Sequence, residues 1–231
     1  MRKLLLACLL AAVPGLGMAA ESVAVAKFDV DLANRAGLQR GARTFVNYCV
    51  SCHSAEFMRY SRLAQDLGLT PEQVQANMVF NGGDVNQAMH VALARKDGAK
   101  WFGQAPPDLT LAARSRGADW LYAYMRSFYL DPARPFGVNN TVFPNAAMPH
   151  VLVGLQGTQE LHDGHLQQVS EGALKPAEYD AMIRDLVNFM VYMGEPAKLV
   201  RYGLGIKVLL FLMVFAGLAY MVKREYWRDI H

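Results

Sequence analysis

The run Cys49-Val50-Ser51-Cys52-His53 constrains this chain more than any other stretch. Two thiols three positions apart can both reach the vinyl groups along one edge of a porphyrin. The histidine that follows at once then sits under the iron and supplies a proximal nitrogen. This is the attachment pattern of a covalently held haem c. Each rival reading lacks a part. A redox dithiol wants a strand before it and a helix after it, and has no use for the histidine. A tetrahedral zinc site wants four ligands, and no second cysteine pair follows. A disulfide across two intervening residues is strained. The chain has three cysteines, and Cys8 falls in a segment expected to be removed. One motif predicts one haem.

The two ends predict export and a membrane anchor. Arg2 and Lys3 precede the apolar run Leu4 to Val13, and Gly17-Met18-Ala19 supplies small residues beyond it. A run of that length is too short to span a bilayer and has the layout of a secretory signal peptide. At the other end, Val208 to Val222 carries no charge, and the run extends back to Tyr202 broken only by Lys207. As a helix the longer segment reaches about 31 Å, the hydrocarbon thickness of a bilayer. Lys207 lies near one end, where its stem can snorkel to the interface. Lys223, Arg224, Tyr226, Trp227 and Arg228 follow, a basic and aromatic flank of the cytoplasmic kind. The expected organisation is a signal peptide at 1–19, a periplasmic haem domain at 20–200, a transmembrane anchor at 201–223 and a cytoplasmic tail at 224–231. A bacterial inner membrane would carry the domain on its periplasmic face.

Charge agrees with this division. The net charge is +3, yet residues 20–200 hold sixteen Lys or Arg against eighteen acids. The basic excess therefore belongs to targeting and topology, and a nucleic-acid partner is not expected.

Helical signals dominate the exported part, and strand signals are weak. Residues 35–48 read as a helix leading into the cysteine motif. Thr70-Pro71-Glu72-Gln73 is a cap signature opening a helix that should end near Asn81-Gly82-Gly83. Asp119 is expected to cap a helix with Trp120, Leu121, Tyr124, Met125 and Phe128 on its apolar face. Pro176 opens another, with Tyr179, Ile183, Leu186, Val187 and Met190 on one face, ending at Gly194. Residues 97–118 and 131–172 read as long loops, for which a haem could serve as core.

A sixth iron ligand should lie far along the chain in a stiff segment. Met148, between Pro144 and Pro149, answers that description, since Pro149 biases it away from helix. Met182, Met190, Met193, Met78 and Met125 read as helix packing. His90, His150, His162 and His165 are the rival ligands, and a histidine there would lower the potential.

Together these features resemble the cytochrome c1 family, the haem c subunit of the quinol–cytochrome c reductase (bc1) complex. The resemblance runs over nearly the whole chain. It rests on Cys49 to His53 with Phe57-Met58-Arg59-Tyr60, on Ala105-Pro106-Pro107-Asp108-Leu109-Thr110, on Ala112-Ala113-Arg114 with Gly117 and Asp119-Trp120, on Ala147-Met148-Pro149, and on the anchor ending Lys223-Arg224-Glu225-Tyr226-Trp227. It implies a mainly α fold: a cytochrome c-like haem domain with long loop insertions, plus one C-terminal transmembrane helix. It implies that Met148 is the axial methionine, that Pro107 packs on the haem near His53, and that Arg114 stands beside a haem propionate. Read alone, Pro107 is a rigid turn and Arg114 a solvated charge. Bulky Trp101 and Phe102 depart from the small polar residues many relatives carry before Pro106-Pro107. The implied role is non-catalytic electron transfer, from a Rieske iron–sulfur protein to a cytochrome c, beside cytochrome b. Two other roles fit a haem of this kind: a stand-alone anchored carrier, and a haem enzyme or gas sensor with an open iron.

Overall fold

A computed structural model describes residues 25–229, so the expected signal peptide at 1–19 lies outside the described residues. The helices are α1 (Arg35–Tyr48), α2 (Tyr60–Leu67), α3 (Pro71–Met78), α4 (Arg95–Phe102), α5 (Ala112–Arg116), α6 (Ala118–Arg126), α7 (Val153–Gln156), α8 (Pro176–Gly194) and α9 (Lys198–Tyr226). The short strands pair as three separate antiparallel ribbons. They are β1 (Ala55–Arg59) with β2 (Ala88–Met89), β3 (Phe128–Leu130) with β4 (Val138–Asn140), and β5 (Gln159–His162) with β6 (His165–Gln168). The domain is mainly α, as expected.

Its core is the crossing of α1 and α8. Asn34 caps α1 by accepting from the Gly37 N–H at 2.9 Å. Gly37 and Gly41, one turn apart, then let the two backbones approach closely. A Cβ at Gly37 would lie 2.7 Å from Asp185 Oδ1, and one at Gly41 would strike the Asp185 carbonyl. Arg40 closes the same seam on Asp185 at 2.6 Å. Phe45 and Phe189 meet with ring centroids 5.5 Å apart, worth about 1 kcal/mol beyond the area they bury. Leu38, Ile183, Leu186, Met190 and Tyr192 fill the rest of the crossing. The cysteine motif begins at the last turn of α1, so the most tightly packed helix pair fixes where it starts.

The helix expected to begin at Thr70 does so, with the reciprocal Thr70–Gln73 cap in place. It ends at Met78, short of Asn81, because Val79 is already extended and Asn81 turns back to accept from the Gly83 N–H at 3.2 Å. Asp119 is not the cap of α6. Gly117, at φ 90°, holds the cap position, and Asp119 lies in the first turn, where its carboxylate accepts from the Phe28 N–H. The two expected loops also carry structure. Residues 97–118 hold most of α4 and all of α5. Residues 131–172 hold β4, α7 and a hairpin turning through Asp163-Gly164, both at positive φ.

Beyond Gly194 the chain turns at Glu195 and enters α9. This helix is long and apolar enough to cross a membrane, with mean hydropathy 2.2 and no residue buried inside the domain.

Candidate haem site

The proximal side is built by continuing α1. The Cys49 carbonyl accepts from both the Cys52 and His53 N–H groups, at 3.1 and 2.8 Å. The chain therefore winds on for one more turn through the motif. Cys49 is buried, Cys52 is half-buried, and the two thiols are free. Burial, with Cys52 adding to it, pushes the Cys49 thiol up to about 12. A redox-active dithiol wants a thiol depressed toward neutrality, and burial moves Cys49 the other way.

His53 Nδ1 lies 2.7 Å from the Pro107 carbonyl. A carbonyl only accepts, so Nδ1 carries the proton and Nε2 keeps its lone pair for a metal. Burial lowers the His53 pKa, and the Pro107 carbonyl and Asp108 oppose that only in part. Burial thus favours the neutral ring, the ligand-competent form. The segment that supplies this carbonyl is laced to the segment after the motif. Leu109 N–H donates to the Ser54 carbonyl at 2.9 Å. The Asp108 carboxylate accepts from Glu56 N–H and Thr110 N–H, both at 2.8 Å. Pro107 thus joins Cys49, Cys52 and His53 in one group. Its main-chain acceptor has no signature in a side-chain pattern.

The distal side is a loop held by side chains. Asn140 is fully buried. Its Oδ1 accepts from Val142 N–H at 2.9 Å, Phe143 N–H at 3.1 Å and the Ser127 hydroxyl at 3.1 Å. Its Nδ2 donates to the Tyr124 carbonyl at 2.8 Å. Asn139 Oδ1 accepts from Asn145 N–H at 2.8 Å, and its Nδ2 donates to Asp131. Asn145 sits at φ 64° and turns the chain toward Met148. Met148 is half-buried, and the Tyr124 hydroxyl donates to its sulfur at 3.5 Å. The sequence marked Tyr124 only as an apolar helix position and did not mark Asn139 or Asn140.

The rival ligands are packed in the core or stand on the surface. Met190, Met193, Met125 and Met78 are buried in the helical core, and Met182 packs against it. His162 pairs with Glu160 at 3.0 Å on the exposed hairpin, and His90 and His165 are exposed. His150 is buried and stacked on Phe128 with centroids 4.9 Å apart. Burial pushes its ring down to about 4, and Gln156 opposes the shift without completing a hydrogen bond.

Arg114 is an exposed residue of α5. Its stem runs past the end of α8, where a Cβ at Gly194 would meet Arg114 Cγ at 3.2 Å. It forms no ion pair among the described residues. Arg134 lines a hollow of about 190 Å³ beside Ala146 and Ala147, with Trp101, Phe102 and Phe136 on its other walls. Its Nε is buried without a partner among the described residues. A group bearing carboxylates beside this hollow would find a cation that the chain itself leaves unpaired.

Free paired thiols, a histidine with Nε2 presented, a thioether on a fastened loop and unpaired arginines are the donor set a covalent haem needs. With α9 they define a membrane-anchored c-type cytochrome. The Cytochrome C1 family model matches residues 26–230. The chain belongs to the cytochrome c1 family. It is 46% identical to the cytochrome c1 of Allochromatium vinosum, with 100% of both chains covered. It is 47% identical to a Nitrosomonas europaea protein named ammonia monooxygenase gamma subunit, over 91% of each chain. The cytochrome c1 of Blastochloris viridis is 27% identical, covering 85% of this chain and 82% of that one. As a cytochrome c1 the chain carries one covalent haem c. It is the membrane-anchored electron-transfer subunit of the bc1 complex, which also contains cytochrome b and the Rieske protein.

Proposed function

We propose that this subunit passes single electrons from the Rieske protein to a cytochrome c through a haem held by Cys49 and Cys52 and ligated by His53 Nε2 and Met148 Sδ. The His53–Pro107 hydrogen bond carries this reading, because it fixes the tautomer and leaves the Nε2 lone pair for a metal. When bound, the haem supplies a one-electron iron couple. The chain's own part is positional. Cys49 and Cys52 anchor, Pro107 and Asp108 orient His53, and Asn139 and Asn140 hold the Met148 loop. With His53 and Met148 both holding the iron, the site would be closed to substrates, which suits electron transfer and not substrate chemistry. Pro107 would pack on the haem near His53, and Arg114 would stand beside a propionate.

The anchor would be residues 201–223, with the haem domain at 20–200 on the periplasmic face of a bacterial inner membrane. Lys223, Arg224 and Arg228 follow the apolar run, and basic residues favour the cytoplasmic side. Lys223 Nζ lies 4.7 Å from the Trp227 ring centre, a pairing suited to an interface.

A tag placed after His231 and a mild-detergent pull-down would test the assignment. Haem b and a Rieske signal co-eluting with haem c is the expected result. Haem c eluting alone from active, well-solubilised membranes would instead support a free-standing anchored carrier.

A further inference from the structure

Asn81-Gly82 is the single asparagine–glycine step in the chain, and both residues are exposed, between α3 and β2. Gly82 lies at φ 75°, and a Cβ there would meet nothing within 4 Å. Its N–H has no partner among the described residues. With no side chain to block it, that nitrogen is open to the neighbouring amide. The Asn81 side chain is held at both ends. Its Oδ1 accepts from the Gly83 N–H at 3.2 Å, and its Nδ2 donates to the His90 carbonyl at 2.9 Å. The first bond polarises the amide for attack at Cγ, as a donor steadies a developing oxyanion. The second is a tether to the residue after β2. Next to it, Val91 N–H donates to Ser54 Oγ at 3.0 Å, and Ser54 follows His53 directly. Asn140 shows the contrast. It is fully buried, and the nitrogen after it belongs to Thr141 and donates to the Ser127 carbonyl at 3.2 Å.

We infer that Asn81 is a site of spontaneous deamidation in the folded protein, and that its conversion loosens the β1–β2 ribbon behind the cysteine motif. Base removes the Gly82 amide proton, and the nitrogen attacks Asn81 Cγ. The Cγ–Nδ2 bond breaks and ammonia leaves. Water then opens the five-membered imide on either side, giving aspartate or isoaspartate at 81. No oxidant, reductant or partner enters. The new carboxylate has no N–H for the His90 carbonyl, so the tether is lost and two acceptors face each other. The isoaspartate product also lengthens the main chain by one carbon at this turn.

The test is to age the purified full-length holoprotein in mildly alkaline buffer, beside a urea-unfolded sample, and to map its peptides by mass spectrometry. The expected result is a gain of about one mass unit, amide to acid, at Asn81 before any other asparagine, with isoaspartate in the same peptide. Amide exchange over 89–91 should quicken in step by about threefold to tenfold, as loss of one neutral hydrogen bond allows. Asn81→Asp should show that faster exchange without ageing. Asn81→Gln should stay unmodified, because its side chain would have to close a six-membered ring. A folded protein that stays unmodified at Asn81 while the unfolded chain converts there overturns the inference. Conversion that leaves exchange over 89–91 unchanged overturns the loosening and supports the modification alone.

Discussion

His53 lies on a segment that runs straight out of the best-packed helix of the domain, and it takes its direction from the Pro107 main-chain carbonyl at 2.7 Å. Met148 takes its direction from side chains: the Tyr124 hydroxyl, and a loop fastened by Asn139 and Asn140. The proximal side is thus an extension of the α1–α8 core, and it would also be covalently tied to its haem. The distal side depends on a buried amide network that no covalent bond backs up. The two sides should therefore fail separately, distal first.

The largest effect belongs to the proximal side. Replacing Cys49 and Cys52 together with alanine should abolish covalent haem, read as complete loss of haem staining on a denaturing gel. Met148→Ala should keep that staining and turn on carbon monoxide binding by the ferrous protein, where the parent binds little. Unchanged carbon monoxide reactivity would sink the assignment of the sixth ligand. Asn140→Ala should cost about 3 kcal/mol, since it strands buried donors and acceptors. In denaturant the ferric thioether–iron charge-transfer band should then vanish well before the far-ultraviolet helix signal, and coincident loss of the two would show that the sides are one cooperative unit.

The smallest expected effect lies away from both sides, at Asp180. Burial pushes its carboxyl up, but the Tyr122 hydroxyl and the Arg184 and Arg126 guanidinium groups outweigh that and hold it below the usual carboxylate range. A depressed carboxyl stabilises the fold above its unfolded pKa and loses that contribution as pH falls through the folded one. Asp180→Asn should therefore cost about 1 kcal/mol at pH 7. The deficit should shrink below about pH 4, with haem spectra unchanged throughout. A deficit that grows in acid would contradict the ion-pair account.

The proximal half was legible because its information is local. Cys49, Cys52 and His53 are consecutive in chemistry and nearly so in sequence, and the helices at 35–48 and 176–194 announce themselves by cap and period. The distal half was legible only at Met148 and its prolines. Asn139 and Asn140 act through contacts made by folding, so nothing in their neighbourhood separates them from ordinary loop asparagines. Asp163-Gly164 is a different case, since the pair is a turn signal that predicts a two-residue hairpin. The assignment of Asp119 as a cap failed because a distant main-chain donor, Phe28, claimed its carboxylate. Arg114 was placed by resemblance alone, and the chain sets its stem against Gly194, while Arg134 is the more buried of these two arginines.

The acceptor that orients His53 also has a genetic consequence. Because it is the carbonyl of residue 107, no amino-acid exchange deletes it, and a mutational scan would score this position only through displaced backbone. Tolerance at residue 107 would then measure how well a substitute keeps the turn, and would say nothing about the value of the hydrogen bond. Replacing Asp108 by its α-hydroxy acid counterpart would reach it, since an ester at the 107–108 linkage accepts more weakly than an amide and leaves every side chain in place.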